Sequence, residues 1–364
     1  MRDVPKLEAP RITVARVPTD APESDGTLQW DSTTIVIVQI DAGGKTGLGY
    51  TYGSAATGAY IQNTLADTLT GLSAFDIPSA HHAMLHKLRN DGRPGIASMA
   101  VSAVDNALWD LKARLLNLSV AQLLGQAQES VALYGSGGFT SYDDDQLTQQ
   151  LGGWSDEGFA FVKMKVGREP GRDHHRLSVA RDAIGKDCQL FTDANGALTR
   201  NHALLMAEDF ARFCVRWFEE PVSSDDLAGL RLLRDRAPPG MAITAGEYGY
   251  DQWYFRRMLE AGAVDVIQAD ATRCGGVTGF LQAAQLAEAF QIPISAHCAP
   301  ALHLHVCAAF PWALHLEWFH DHVRLEHMLF EGAPDPVNGR ATPDPSRPGF
   351  GLDLKDAEVA RRAI

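Results

Sequence analysis

Ionisable side chains stand at one end of a series of short apolar segments in this sequence. Each of them could act in acid–base or metal chemistry. They are Lys163, Lys165, Asp193, Glu219, Glu247, Asp270, His297 and Glu317. Burying such groups at the ends of apolar segments costs free energy unless they share one polar site. The pattern therefore predicts a single active site built from all of them.

Asp193, Glu219 and Glu247 end three consecutive segments, so their carboxylates are expected to be neighbours. Three neighbouring anions raise one another's pKa unless a cation neutralises them. Ligands that are all oxygen, without sulfur or imidazole, favour Mg²⁺ or Mn²⁺. The competing interpretation is that these carboxylates pair with Arg or Lys. Glu220 would face the other way on a strand, so Glu219 is assigned to the metal.

Lys165 and His297 are the candidate bases, because they end the second and seventh segments, which would face each other across a barrel. A lysine beside a divalent cation and Lys163 is expected to have a lowered pKa and to act as a base near neutral pH. Asp270 is expected to orient the imidazole of His297. Glu317 would hydrogen-bond a substrate carboxylate if its own pKa is raised. These roles predict removal of the proton next to a carboxylate.

The segments that position these residues alternate with helical stretches, which is typical of a (β/α) TIM-type barrel. The segments span residues 131–135, 159–166, 189–193, 215–219, 242–247, 264–270, 292–297 and 313–317. In such a barrel the carboxyl ends of all strands converge on one mouth. A doubly wound sheet is the competing fold, but no Gly-x-Gly-x-x-Gly follows the first segment.

Three regions are predicted along the chain. Residues 1–125 form an α+β capping domain, in which the polar residues 18–31 are a mobile loop that covers the substrate. Residues 126–333 form the catalytic barrel, of (β/α)7β type because the last strand lacks a full helix after it. Residues 334–364 leave the barrel and pack back on the capping domain.

These motifs, in this order, resemble the enolase superfamily in its mandelate racemase branch, over nearly the whole chain. Residues 103–111 also resemble the helix before the barrel in that family. The muconate-cycloisomerase branch is disfavoured, since it would place a lysine where Asp270 stands. The motifs that carry the resemblance are Lys163-Met164-Lys165, Asp193-Ala194-Asn195, Glu219-Glu220-Pro221, Gly246-Glu247, Asp270 with Gly275-Gly276, His297 and Leu316-Glu317-Trp318.

The resemblance implies that the three carboxylates bind Mg²⁺ and that Lys165 and the His297–Asp270 pair are the acid–base groups. The substrate carboxylate and α-hydroxyl would chelate the metal, and Lys163 would contact the carboxylate. Loss of the α-proton then produces an enediolate, whose charge the metal, Lys163 and Glu317 stabilise.

Two fates of this intermediate stay open, because both use the same residues. Dehydration of a sugar acid to a 2-keto-3-deoxy acid is the commoner outcome in the branch, and we favour it. The alternative is a racemase or epimerase of a 2-hydroxy acid, with Lys165 and His297 on opposite faces. A remote alternative of another class is a non-catalytic sugar-acid binder.

Substrate contacts are expected from Lys163, Glu317, Asn195, Ser136 and Trp30. Residues 18–31 and 50–60 are expected to set specificity. The first of these segments contains no lysine or arginine, although a second substrate carboxylate would want a cation. This composition favours a substrate with one carboxylate.

The bulk composition excludes some classes of partner. A formal net charge of -13 argues against nucleic acid, and no run of 18 or more apolar residues predicts a membrane helix. The first residues, Met1 to Lys6, lack the apolar stretch of a signal peptide. Five scattered cysteines argue against a disulfide framework or a cysteine zinc site. We expect a cytoplasmic homo-oligomer that acts on a small carboxylate.

Overall fold

The computed structural model describes residues 4–364. Met1 to Asp3, on which the signal-peptide prediction partly rests, lie outside the described residues. The chain begins with an antiparallel sheet in the order β1-β2-β3. Its strands are β1 (Arg11–Ser24), β2 (Gln29–Ala42) and β3 (Lys45–Tyr52). The β-branched run in β2 is almost entirely buried, as its composition predicts.

The prediction that residues 18–31 form a mobile loop was wrong. β1 and β2 continue through this region as a hairpin, although their pairing shifts between Pro18 and Glu23. A tight turn closes the hairpin, in which Asp25 Oδ1 accepts the backbone N–H groups of Thr27 at 2.6 Å and Leu28 at 2.7 Å. The extra residues at the shift interrupt the two-residue period of a strand, which is why the sequence pattern resembled a loop.

Helices cover one face of this sheet. The longest, α4, packs against β3 at very short range, since a Cβ at Gly49 would lie 2.3 Å from the backbone nitrogen of Ala107. Only glycine permits this approach. The helices are α1 (Ala55–Tyr60), α2 (Ala66–Leu69), α3 (Ile77–Lys87), α4 (Ile96–Leu116) and α5 (Val120–Leu124), with a π-helical turn at Ile61–Leu65 and a 3₁₀ turn at Leu88–Asn90.

Eight parallel strands then close into a barrel, because the last of them also pairs with the first. The strands are β4 (Val131–Gly137), β5 (Phe161–Lys165), β6 (Gln189–Asp193), β7 (Val215–Glu219), β8 (Ala242–Ala245), β9 (Val266–Ala269), β10 (Ile294–Ala296) and β11 (Ala313–Phe319). The helices after them are α6 (Asp144–Asp156), α7 (Pro170–Ile184), α8 (Arg200–Ala211), α9 (Leu227–Arg236), α10 (Gln252–Glu260), α11 (Gly276–Ala289), α12 (Pro300–Ala308) and α13 (His320–Leu329). The predicted TIM-type barrel with a capping domain is confirmed, and the doubly wound alternative is excluded. The expectation that the last strand lacks a full helix after it was wrong, because α13 follows β11 directly.

Strand alternation builds the barrel interior in two layers. The lower layer is aromatic, with Tyr134, Phe191 and Trp217 in one buried cluster. Two residues further along β6 and β7 come Asp193 and Glu219, which pair in register. Because side chains two apart share a face, the ionisable layer lies directly above an apolar floor.

The chain ends near its beginning. After α13, β12 (Phe330–Glu331) pairs with β14 (Asp353–Leu354), while β13 (Arg340–Ala341) pairs with the start of β4. The last helix is α14 (Asp356–Ala360). Beyond it, the backbone N–H of Ile364 donates to the carbonyl of Val14 in β1 at 3.0 Å.

Within residues 4–364, no helix has the length and apolar character needed to cross a membrane.

Candidate active site

The three predicted metal ligands meet at the barrel mouth. Asp193 and Glu219 end β6 and β7, and Glu247 follows β8; all three are buried. One carboxylate oxygen from each lies within 4.8 Å of the others. Parallel strands in register bring about this convergence, which no single segment could produce alone.

This cluster fits a hard divalent cation. Its donors are carboxylate oxygens, and the buried Oε1 of Glu219 has no hydrogen-bond partner among residues 4–364. Burial and the nearby Asp193 charge raise the pKa of Glu219 to about 8. A cation such as Mg²⁺ would satisfy the oxygen and remove the repulsion. Glu220, just beyond β7, is also buried, and burial with the charge of Glu247 raises its pKa well above the usual range.

Lys163 is fully buried beneath the mouth. Its Nζ donates to Glu219 Oε2 at 2.7 Å and lies 2.8 Å from Glu317 Oε1 and 3.6 Å from Asp193 Oδ2. Burial opposes its charge, but Glu219 and Glu317 outweigh burial and raise its pKa well above the usual value. Lys163 is therefore a fixed positive charge at the centre of the anionic layer.

Lys165 lies two residues beyond Lys163 on β5, on the same face of the strand, and lines the mouth. Its Nζ donates to Asp193 Oδ2 at 2.5 Å. Burial and the charge of Lys163 lower its pKa, but Asp193, Glu219 and Glu317 together outweigh them, so the pKa is raised. This direction is opposite to the sequence-based expectation, because that expectation included a cation that shares the charge of Asp193.

His297, just beyond β10, is held between two carboxylates. Its Nδ1–H donates to Asp270 Oδ2 at 2.8 Å, and its Nε2 lies 3.1 Å from Glu247 Oε2. Burial lowers the pKa of His297, but the Cys298 sulfur, Glu247 and Asp270 outweigh it and raise the pKa. Arg273 contacts Glu247 Oε1 at 3.3 Å and Asp270 Oδ2 at 3.7 Å, so it ties both carboxylates together.

Glu317 accepts hydrogen bonds from several directions. Ser136 Oγ donates to its Oε1 at 2.5 Å, and the Cys298 backbone N–H donates to its Oε2 at 3.1 Å. Burial raises its pKa, but Lys163 and His297 outweigh burial and lower it. The raised pKa expected for Glu317 is therefore absent here, although a substrate carboxylate brought beside it would act in that direction. Ser136 is fully buried and orients Glu317.

A cavity of about 470 Å³ opens over these groups. Trp30 and Asn195, two predicted substrate contacts, line it together with Lys165, Glu247 and His297. The buried Oδ1 of Asn195 has no partner among the described residues. The remaining lining residues are Asp25, Leu28, Ser32, Thr33, Thr34, Tyr52, Gly53, Ser54, Tyr248, Arg273, Cys298, Phe319 and His322.

Three residues of the site escaped sequence reasoning. Trp217 donates from Nε1 to Glu219 Oε2 at 3.0 Å, and its position two residues before Glu219 could have revealed it. Cys298 lies beside His297, with its Sγ 3.3 Å from Nε2. His322 stacks on Tyr52 with ring centroids 3.5 Å apart. No local pattern links this last pair, which is far apart in sequence.

A second cavity of similar volume, about 480 Å³, lies between α3 and α10. Its lining includes His82, Arg89 and Trp253 and none of the strand-end groups. Volume alone therefore does not identify the active site; the convergent ionisable groups do.

Two family models match the chain. Residues 11–125 match the mandelate racemase/muconate lactonizing enzyme N-terminal domain, and residues 146–359 match the enolase C-terminal domain-like family. The chain is 32% identical to L-talarate/galactarate dehydratase of Salmonella typhimurium, over 98% of this chain and 90% of that protein.

Solved structures agree with these matches. A mandelate racemase/muconate lactonizing enzyme-like protein from Rubrobacter xylanophilus is 52% identical, with a TM-score of 0.97 over 99% of this chain and 100% of that one. A racemase from Streptomyces coelicolor with bound magnesium is 30% identical, with a TM-score of 0.92 over 98% and 100%. The chain belongs to the mandelate racemase/muconate lactonizing enzyme family of the enolase superfamily.

Proposed function

We propose that this enzyme dehydrates a sugar acid with one carboxylate to a 2-keto-3-deoxy acid. It would do so by Mg²⁺-assisted removal of the proton next to the carboxylate. The observation that carries the proposal is that Lys165 and His297 line the same cavity as Glu247, directly above the three-carboxylate cluster. The dehydratase of Salmonella typhimurium, similar over nearly the whole chain, supports the choice of reaction.

Asp193, Glu219 and Glu247 would hold the metal. Bound Mg²⁺ would fix the substrate carboxylate, neutralise charge on its oxygens and offset the negative charge beside Lys165 and His297. The racemase of Streptomyces coelicolor that binds magnesium supports this choice of ion.

The protein groups divide the remaining work. Either Lys165 or His297 removes the α-proton, and the other protonates the β-hydroxyl, which leaves as water. Asp270 holds the tautomer of His297 through its hydrogen bond to Nδ1. Lys163, fixed between Glu219 and Glu317, stabilises the negative charge that develops on the substrate carboxylate.

The preference for one carboxylate is supported by the existing partners of the nearby cations. Arg273 lines the cavity, but it lies 3.3 Å from Glu247 Oε1 and 3.7 Å from Asp270 Oδ2. Arg168 is engaged by the hairpin, since its Nη1 donates to the carbonyl of Leu28 at 2.9 Å. His303 and His305 are buried, and burial lowers their pKa values, so they are neutral near pH 7. The hydroxyl-bearing residues Ser32, Thr33 and Thr34 line the hairpin side of the cavity instead, although the Thr33 hydroxyl donates to Asp321. Hydroxyl groups suit the hydroxylated end of a sugar acid.

A racemase or epimerase is the second candidate. It is favoured by the presence of two candidate bases that come from different strands, with β4 and β11 between them on one side of the ring. Such a pair could serve both faces of the α-carbon.

We expect a homo-oligomer in either case, and light scattering would test it. A cytoplasmic location is supported by the five cysteines, all within residues 4–364 and none in a disulfide.

The deciding experiment is a screen of sugar acids with Mg²⁺ in D₂O, followed by proton NMR. A 2-keto-3-deoxy product would support dehydration. Deuterium at the α-carbon with an intact skeleton would instead support the racemase or epimerase. If the protein binds Mg²⁺ and no hydroxy acid exchanges its α-proton, both candidates are wrong. Parallel screening of mono- and dicarboxylic acids tests the predicted substrate class.

A further inference from the structure

A second cluster of metal-ligating side chains lies outside the barrel mouth. Asp20 and Glu23 belong to β1, where its pairing with β2 is interrupted, and His320 begins α13 after the eighth barrel strand. One ligand atom from each lies within 4.8 Å of the others. His320 Nε2 is 2.9 Å from Asp20 Oδ2. The cluster thus joins the hairpin of the capping domain to the barrel.

Glu23 supplies an independent sign that this cluster has a ligand. Its side chain is fully buried, and its Oε2 accepts a hydrogen bond from Trp30 Nε1 at 2.7 Å. Its Oε1 is buried and has no hydrogen-bond partner among residues 4–364. Buried carboxylate oxygens nearly always have a partner, which can be protein, water or an ion. A cation beside Asp20 and His320 would satisfy this oxygen.

The local charge balance agrees with a cation. Asp20, Glu23 and Asp321 lie close together, and Arg324 is the nearby arginine. Arg324 Nη2 donates to Asp321 Oδ1 and to the carbonyl of Pro18, each at 2.6 Å, while its buried Nε has no partner among residues 4–364. The imidazole of His320 faces Asp20. Burial and the charge of Asp321 raise the pKa of Glu23 to about 8, and a cation bound beside these carboxyl groups would favour their charged forms.

We propose that Asp20, Glu23 and His320 bind a divalent transition-metal ion of the zinc class, separate from the three-carboxylate cluster. An imidazole with two carboxylates is a ligand set that suits Zn²⁺, whereas Mg²⁺ prefers oxygen ligands alone. Water would complete a tetrahedral shell. The ion would fasten the hairpin to α13.

Fastening the hairpin has a consequence for the cavity. Glu23 holds the indole of Trp30, and Trp30 lines the mouth. Trp30 also packs edge-on against Phe139, with ring centroids 5.8 Å apart. A metal ion that orders Glu23 would therefore order the part of the hairpin that meets the substrate. This role is structural and does not depend on the proposed reaction.

The test is a zinc titration of chelator-treated full-length protein in excess Mg²⁺, with a chromophoric competitor. Wild type is expected to bind one Zn²⁺. His320→Asn is expected to weaken binding by about 100-fold or more, since losing a ligand exceeds the effect of losing an outer-shell partner. His327→Asn is the matched control, because His327 lies on the same helix and pairs with Asp335 at 3.0 Å outside the cluster. Glu219→Gln, in the three-carboxylate cluster, is expected to keep the zinc affinity.

Two further readouts separate this site from surface binding. X-ray absorption of the zinc-loaded protein should show one imidazole ligand, and Zn²⁺ should slow hydrogen exchange in residues 18–30 of wild type but not of His320→Asn. Equal zinc affinity in wild type and His320→Asn, or no binding in excess Mg²⁺, would overturn the proposal. Zinc binding without slower exchange in residues 18–30 would overturn the fastening of the hairpin.

Discussion

The two walls of the cavity differ in charge and in construction. The barrel wall carries ionisable groups at the ends of its strands, where one ion pair joins Lys165 to Asp193 and another joins Glu247 to Arg273. The hairpin wall carries Trp30, Ser32 and Thr34, and it belongs to two strands whose pairing is irregular. The groups proposed to react thus come from regular barrel strands, while the groups expected to recognise the substrate come from an irregular hairpin. Under the proposed function, reaction type and substrate choice would depend on different parts of the chain.

The largest effect on this comparison of the two walls is expected from removing His297, a proposed base of the barrel wall. His297→Asn is expected to lower the rate of α-proton exchange by about 10²–10⁴-fold with little change in KM, because a positioned acid–base group contributes about that much. NMR exchange rates and substrate titration measure the two effects. His327→Asn should leave both unchanged. A rate loss below about tenfold would show that His297 does not transfer the proton.

A smaller effect on the rate is expected from Asp270, which contacts His297. Asp270→Asn should lower the rate by about 10–100-fold, as other outer-shell partners do, because the imidazole loses the carboxylate that accepts from Nδ1. Nitrogen NMR of the ring should show a changed tautomer balance at His297. An unchanged ring spectrum beside a reduced rate would contradict the positioning role.

The hairpin wall should respond in KM instead of in rate. Thr34→Val removes a hydroxyl from the cavity lining and should raise KM about fivefold, equivalent to one hydrogen bond of about 1 kcal/mol. The value of kcat should stay close to wild type. Thr13→Val, on the same sheet outside the cavity, is the control. A fall in kcat as large as that of Asp270→Asn would remove the distinction between the walls.

The smallest effect concerns the stability of the protein, through a contact between the capping sheet and the barrel. Glu326 of α13 accepts from Tyr50 of β3 at 2.5 Å, and burial raises its pKa to about 8. A carboxyl whose folded pKa is raised contributes stability below its unfolded pKa and loses it as pH rises through the folded value. Wild type should therefore lose a few degrees of Tm between about pH 5 and pH 8.

Glu326→Gln should reduce that dependence, because the amide does not ionise and can still hydrogen-bond Tyr50 and the Ala301 backbone. The raised pKa of Glu219 acts in the same direction, so part of the dependence should remain. Thermal melts at several pH values measure it. A slope in the variant as steep as that of wild type would assign the dependence to another group.

Much of the barrel could be predicted because its signals are local. Each strand carries its apolar run and its terminal polar residue within a few positions, and the ring order then follows from chain order. The hairpin could not be predicted, since the shift between Pro18 and Glu23 breaks the strand period. The pKa directions of Lys165 and Glu317 also could not, because they depend on which charges lie nearest in space.

The sequence alone therefore determined the kind of chemistry: which strands end in carboxylate, lysine or imidazole, and hence a barrel of this family. The tertiary structure alone decided how those groups are held and what covers them. Ser136 supports Glu317 across the closing pair of strands, His322 stacks on Tyr52, and Asp20 and Glu23 meet His320. These contacts join residues of high sequence separation, and only the closure of the barrel under its capping sheet brings them together.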